Sequence, residues 1–220
     1  NDPEIQQIFQ DALIQSHYIL RGCSINGNRC VSNNVRPINS LADLKGLKLR
    51  LPTVSHYVRN FELLGAAPVT MPMTEIFTAL QQGTVEGQEN PLGLIETNGF
   101  MEVQDYLVLS EHNYTPMPVM INLEKYNSLT DNQRAIMDYV SDYVEQWERE
   151  RNIEVNQQIL DQFKADNVNI IELDDATKDS FRQAIDDAGV YDEIREALAN
   201  PELMDVLEGL NAYHPPKSET

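Results

Sequence analysis

The run 41–91, LADLKGLKLRLPTVSHYVRNFELLGAAPVTMPMTEIFTALQQGTVEGQENP, constrains this chain more than any other stretch. Short apolar runs alternate in it with amphipathic segments closed by glycine. Alternation of that kind builds an α/β domain around a largely parallel sheet. Leu47, Leu49 and Leu51 alternate with Lys48 and Arg50, which predicts a strand over 47–51. Ser40 reads as the cap of a short helix ending at Gly46. Residues 55–64 read as a helix with Val58, Phe61 and Leu64 on one face, and Gly65 supplies the left-handed residue that ends it. Strands are expected at 67–70 and 84–89. Between them lies a helix capped by Thr74, carrying Ile76, Phe77 and Leu80 and closed by Gly83. Asn90 and Pro91 read as the N-cap and first residue of the next helix. Arg50 stands at the end of its strand, and Pro52 stops the ladder there. Ligands of such sheets bind beyond the carboxyl ends of the strands.

The rest of the chain gives weaker signals. Residues 2–20 read as a helix passing into an extended segment, with Ile5, Ile8, Phe9 and Leu13 as the apolar stripe. Strands are expected at 19–25 and 29–33, joined by Asn26-Gly27, a hairpin-turn pair. That hairpin sets Cys23 opposite Cys30. The pair reads either as a disulfide, suited to an oxidising compartment, or as two unpaired thiols. Cys-x6-Cys without a nearby histidine is not a zinc pattern. Further strands are expected at 106–109, 117–122 and 169–173. Thr130 and Gln133 form a capping box that opens a helix over 131–164, roughly 50 Å long at 1.5 Å per residue. Its stripe of Ile136, Val140, Tyr143, Val144 and Trp147 breaks at 148–151 and resumes at Val155, Ile159, Leu160 and Phe163. The break predicts two halves buried against two different bodies. A helical hairpin or coiled-coil arm is the alternative, although no sustained heptad supports it. Asp174 or Asp175 caps a helix with Phe181 and Ile185 that ends at Gly189. Two more helices follow, the second opened by Asn200-Pro201.

The net charge of −19 leaves no basic patch to neutralise phosphates, which argues against a nucleic-acid partner and disfavours an anionic membrane surface. No run reaches the roughly 20 apolar residues of a membrane span. His17, His56, His112 and His214 lack metal-ligand spacing, and there is no G-x-S-x-G, H-E-x-x-H, G-x-G-x-x-G or P-loop. Without a nucleophile or an acid–base pair, the chain reads as a binder and not an enzyme, with no cofactor and no metal. An acidic chain can still bind an acid, because a few buried arginines outweigh distant surface charge that salt screens.

Three pieces, LADLKGLKLRLP, LGAAPVTMPMTEIFTALQQGTVEGQENP and EVQDYLVLSEH, in this order and spacing, resemble the extracytoplasmic solute-binding proteins of TRAP transporters, the DctP family. These serve ATP-independent uptake of organic acids. The resemblance runs from about residue 26 to 129 and continues more weakly to the end. It implies a periplasmic-binding-protein type II-like α/β fold: two lobes joined by hinge segments and a long spanning helix. Residues 1–25 and 116–150 would then be a remnant of the first lobe. Residues 26–115 and 151–220 would be the second lobe with the C-terminal helices. Against that family the sequence opens part-way, so the first lobe is expected to be incomplete and ligand binding by residues 1–220 alone to be weak. The implied function is periplasmic capture of a sugar acid, C4-dicarboxylate or 2-oxoacid by hinge closure, and its delivery to the TRAP membrane permease subunits. An enzyme on a similar scaffold and a ligand-sensing module are the alternatives.

The resemblance also singles out residues. Lys48-Leu49-Arg50-Leu51-Pro52 matches the K-x-R-x-P motif whose arginine forms the principal salt bridge to the ligand carboxylate. The guanidinium fork of Arg50 suits that role, while the pattern alone also fits a solvated surface arginine. Asn90 lies in Glu86-Gly87-Gln88-Glu89-Asn90-Pro91, where the family has Asp first, and the family's asparagine reaches the ligand. Arg29 follows the Asn26-Gly27 turn, where some relatives place a second ligand-contacting arginine; pairing with a surface carboxylate is the other reading. Met73 occupies an often aromatic position that packs on the ligand, and Thr53 follows the anchor strand within reach of a ligand hydroxyl. Both also fit plain lobe packing. Glu75 reads as a first-turn helix residue and His112 as structural.

Overall fold

A single extended segment ties the sheet together. In the computed structural model, which describes residues 3–198 and 204, helix α1 (Pro3–Gln15) leads into strand β1 (Tyr18–Asn33). There is no hairpin at Asn26-Gly27. β1 continues straight through, and Gly27 uses its positive φ of 97° in an irregularity of the ladder between Ile25 and Gly27. A glycine that can turn a chain back can equally carry a bulge. The disulfide reading falls with the hairpin. Cys23 and Cys30 are seven positions apart on one strand, roughly 23 Å at 3.3 Å per residue, and both are free thiols.

The chain then alternates as its apolar pattern requires. Helix α2 (Leu41–Leu44), strand β2 (Lys48–Leu51), helix α3 (Ser55–Leu63) and strand β3 (Ala67–Thr70) follow in order. Ser40 precedes α2 but bonds the Asp43 side chain and makes no side-chain cap to the backbone. Thr74 is not a helix cap either. It lies inside a 3₁₀ turn, Met73–Glu75, that runs directly into α4 (Ile76–Gln81). Strand β4 is Gly87–Pro91, not 84–89. Val85 is fully buried ahead of it, and Glu86 docks on β2 by accepting from the Lys48 amide at 2.9 Å. Pairing starts at Gly87 because only glycine fits: a Cβ there would lie 2.4 Å from the Ser32 carbonyl oxygen of β1. Asn90 is therefore a strand residue and not an N-cap, and helix α5 (Leu92–Thr97) starts beyond Pro91.

Strand β5 (Tyr106–Leu109), strand β6 (Tyr114–Asn122), helix α6 (Leu123–Asn127) and helix α7 (Asp131–Ala165) come next. The expected capping box is present, with the Gln133 amide donating to Thr130 and the Thr130 amide to Gln133. Strand β7 (Asn169–Glu172), helix α8 (Asp175–Asp186) capped by Asp174, and helix α9 (Val190–Ala197) complete the described elements. The helix expected after Asn200-Pro201 lies outside the described residues.

The strand order is β3-β2-β4-β1-β5-β7. β2 pairs in parallel with β3 and β4, and β5 with β7, while β1 runs antiparallel between β4 and β5. The sheet is thus mixed, with the one opposed strand at its centre. The earlier part of β1 leaves it and pairs with β6 instead. Along that part α7 supplies side chains to the unpaired backbone: Glu145 accepts from the Cys23 amide, Glu148 from the Ile25 amide, and Asn152 donates to the Ile25 carbonyl.

Two apolar layers cover the mixed sheet. Leu44, Leu47, Leu49, Leu51, Phe61, Val108 and Phe181 pack on one face. Ile76, Leu80, Leu92, Ile95, Phe100 and Leu107 pack on the other with Ile159 and Phe163 of α7. Of the two buried halves expected of α7, only one is found among the described residues. Its second half is core, and its first half leaves Ile136, Tyr139, Tyr143 and Trp147 more than half exposed.

Both thiols should be titratable without reductant: denatured protein should take up two alkylating labels, and a gain of none would restore the disulfide. In the native state Cys30, whose thiol burial pushes up to about 12, should stay unlabelled near pH 8. Cys23 is half-buried and should react first.

Candidate functional site

Strand polarity brings the candidate residues to one edge. The carboxyl end of β4 meets β1, where Arg29 pairs with Pro91 and Cys30 with Asn90, and the parallel β2 and β3 end on the same edge beside it. Arg50 lies beside Gln88 in the neighbouring register. Leu49 and Leu51 point into one core layer, so Arg50 lies on the opposite face with Gln88 and Asn90.

Arg50 is 4% exposed. Its Nε and Nη2 donate to the Met71 carbonyl at 3.1 and 2.7 Å, and among the described residues no carboxylate lies within ion-pair distance. Burial lowers its pKa; Glu89 raises it, and Arg29 lowers it further. A buried cation held only by a carbonyl retains free donors and an uncompensated charge, and both favour an incoming anion.

Arg29 is spent differently. Its Nε and Nη2 grip the Glu89 carboxylate as a fork, with Nη2 2.8 Å from Oε1. Nη2 also donates to the Glu89 carbonyl at 2.9 Å and to Asn90 Oδ1 at 3.1 Å. The guanidinium carbon stands 5.5 Å from the centre of the Tyr57 ring. The carboxylate paired with Arg29 is a buried one, not a surface one. Glu89 is wholly buried and also accepts from His112 Nε2 at 3.1 Å. A carboxylate only accepts, so Nε2 carries a proton, and His112 Nδ1 lies 2.8 Å from the Ser110 hydroxyl. Burial alone would push the Glu89 carboxyl up; the bonds from His112 and Arg29 and their charges outweigh it and hold the group below the usual range.

On the other face of β4 the polar side chains form a file. Asn90 Nδ2 donates to Gln88 Oε1 at 2.6 Å, Gln88 Nε2 to Ser32 Oγ at 2.9 Å, and Ser32 Oγ to Gln104 Oε1 at 3.2 Å. Gln104 Nε2 ends on the Val103 carbonyl at 2.9 Å. All four side chains are buried. Met73 is half-buried, with its sulfur 4.0 Å from Asn90 Nδ2. Thr53 is exposed in the loop after β2. The structure therefore joins Arg29, Asn90 and Met73 by direct contacts and sets Arg50 beside them through the β2–β4 register. Glu89, Gln88, Ser32 and Tyr57 went unrecognised in the sequence. The available signal was Glu89 itself: a carboxylate in a central strand requires a buried cation.

A sequence model of "Bacterial extracellular solute-binding protein, family 7" (DctP) matches residues 2–196. The chain belongs to this family. Among its relatives in family 7, it is 31% identical over 188 residues to the 2,3-diketo-L-gulonate-binding periplasmic protein YiaO of Escherichia coli K12, covering 84% of this chain and 55% of that one. Two solved structures share the fold. A TRAP periplasmic solute-binding protein from Haemophilus influenzae with bound L-gulonate superposes with a TM-score of 0.84 at 28% identity, covering 96% of this chain and 68% of that one. The sugar acid binding protein DctPAm from Advenella mimigardefordensis, in complex with galactonate, does so at 0.83 and 29%, covering 93% and 65%. The chain spans about half the length of the curated relatives it matches. The fold expectation is confirmed by these neighbours.

The Glu89 carboxylate sets a prediction. Its folded-state pKa lies below the unfolded carboxylate value of about 4.3, so its stabilising share is complete above that pH and is lost as the pH falls through the folded value. Glu89→Gln should cost about 3 to 5 kcal/mol near pH 7, because it strands the buried Arg29 charge. It should also make the acid side of a melting-temperature profile shallower. An unchanged acid slope in the variant would show that Glu89 is not the group involved.

Proposed function

We propose that this chain is the binding portion of an extracytoplasmic, periplasmic TRAP-type solute-binding protein that captures a small organic acid and delivers it to a membrane permease. The observation that carries this reading is Arg50, a buried guanidinium without a carboxylate partner among the described residues, at the carboxyl edge of the strands. The charges support an anion. Arg29 and Glu89 compensate each other, and Arg50 is left over. One uncompensated cation suits one carboxylate, and therefore a monocarboxylate. Sugar acids are the favoured class, since L-gulonate and galactonate occupy two structural relatives and a third relative is named for 2,3-diketo-L-gulonate. In this reading Arg50 anchors the carboxylate, Asn90 donates to it or to the next oxygen, Met73 packs on the ligand, and Thr53 meets a distal hydroxyl. Arg29 acts mainly by holding Asn90 and Glu89 in place.

The lobe assignment is a proposal on the same footing, with 1–25 and 116–150 in one lobe and 26–115 and 151–220 in the other. Two features support it: β1 exchanges partners near Asn28, and the two halves of α7 differ in burial. The irregular ladder around Gly27 is the natural place for a hinge.

The test is calorimetry of the full-length protein with L-gulonate, galactonate and D-glucuronate. Arg50→Ala should weaken binding by roughly thirty-fold to several thousand-fold, since truncating one partner of a buried charge pair costs about 2 to 5 kcal/mol. Arg50→Lys should recover part, because an ammonium keeps the charge and loses the fork. Arg59→Ala removes a surface ion pair with Glu193 and should change affinity by less than about threefold. Binding by Arg50→Ala within a few fold of the parent would remove Arg50 as the anchor.

A further inference from the structure

We infer that Gln88, Ser32 and Gln104 are positioning residues that lock the Asn90 amide in one orientation, so that it offers the bound ligand an N–H and never an oxygen. The inference rests on the carboxylate-binding reading above. It follows from the two ends of the buried file. A guanidinium only donates, so Asn90 must turn Oδ1 to Arg29 Nη2, 3.1 Å away. That turns Nδ2 toward Gln88, which must answer with Oε1. Gln88 Nε2 then faces Ser32 Oγ, whose own hydrogen goes to Gln104 Oε1. Gln104 Nε2 closes the file on a backbone carbonyl, which only accepts.

No member can turn alone. Flipping either Asn90 or Gln88 sets two N–H groups, or two oxygens, face to face. Flipping all of them sets an N–H against the guanidinium and an oxygen against the Val103 carbonyl. The four side chains are buried, so water cannot repair the mismatch, and an unmet buried donor or acceptor is costly.

Asn90 Nδ2 has a second N–H, and its partner is the Met73 sulfur at 4.0 Å, a weak acceptor. A carboxylate or 2-oxo oxygen arriving beside Arg50 would be a far better one. The position therefore selects ligands that present an acceptor next to the anchor carboxylate and disfavours those that present an ammonium there. Ser32 is fully buried between β4 and β5, and Ser32→Ala removes one oxygen from the middle of the file.

The experiment is a double-mutant cycle in the full-length protein, with L-gulonate and galactonate as probes. Ser32→Ala should weaken binding roughly tenfold in the parent, as loss of about one hydrogen bond implies, and less than about twofold when Asn90→Ala is already present. Equal losses in the two backgrounds, or none in the parent, would overturn the inference. A second readout needs no ligand. The side-chain amide protons of Asn90, Gln88 and Gln104 should exchange slowly by NMR, and Ser32→Ala should speed exchange at Gln88 and Asn90. Solvent-like exchange in the parent would overturn the inference whether or not any acid binds. A parent that binds neither acid would count against the carboxylate reading, and the exchange measurement alone would then decide the lock.

Discussion

The ion pair between Arg29 and Glu89 is the interaction on which the site depends. Two guanidinium groups converge on one sheet edge, and neither is exposed. Without a carboxylate between them they would repel in a region that water does not screen. Glu89 accepts a fork from one and leaves the other uncompensated. Its cost is a carboxylate with no exposure at all, repaid by His112 on the far side and by the strand register that brings Arg29 across from Pro91. Remove the pair, and Asn90 loses the donor that orients it.

Strand β1 makes that register possible. It is antiparallel to both neighbours in the mixed sheet, so its residues enter that edge from the side opposite to β2 and β4. A sheet made only of parallel strands would present carboxyl ends alone. Here a residue from the middle of a long strand reaches the same edge, and Arg29 can meet side chains on both faces of β4. The approach of β1 to β4 is close enough that position 87 tolerates no side chain.

Much of this was legible in the sequence. The leucines around Arg50 fixed its strand and face, since three apolar residues at a spacing of two leave one orientation for the residues between them. Thr130 and Gln133 marked the start of α7. What failed were signals with two physical meanings. Asn26-Gly27 serves a tight turn or a bulge, and only the pairing of β1 with β6 decides between them. Asn90-Pro91 fits a helix start, but the strand continues because Gln88 and Asn90 find their partners across the sheet. The polar file was invisible because Ser32 and Gln104 lie far along the chain from Gln88 and Asn90 and meet them only through register.

The two faces of β4 differ in how they meet acid. One carries Glu89 against His112, a contact between ionisable groups. The other carries amides and a hydroxyl, which neither gain nor lose protons in any medium a cell tolerates. Acid strong enough to protonate Glu89 would act on one side of the strand, and the other is blind to the same change. The far end of the file, from Gln88 to the Val103 carbonyl, lies on the blind side, so an acid that loosened the grip on Arg29 would leave that end of it in place.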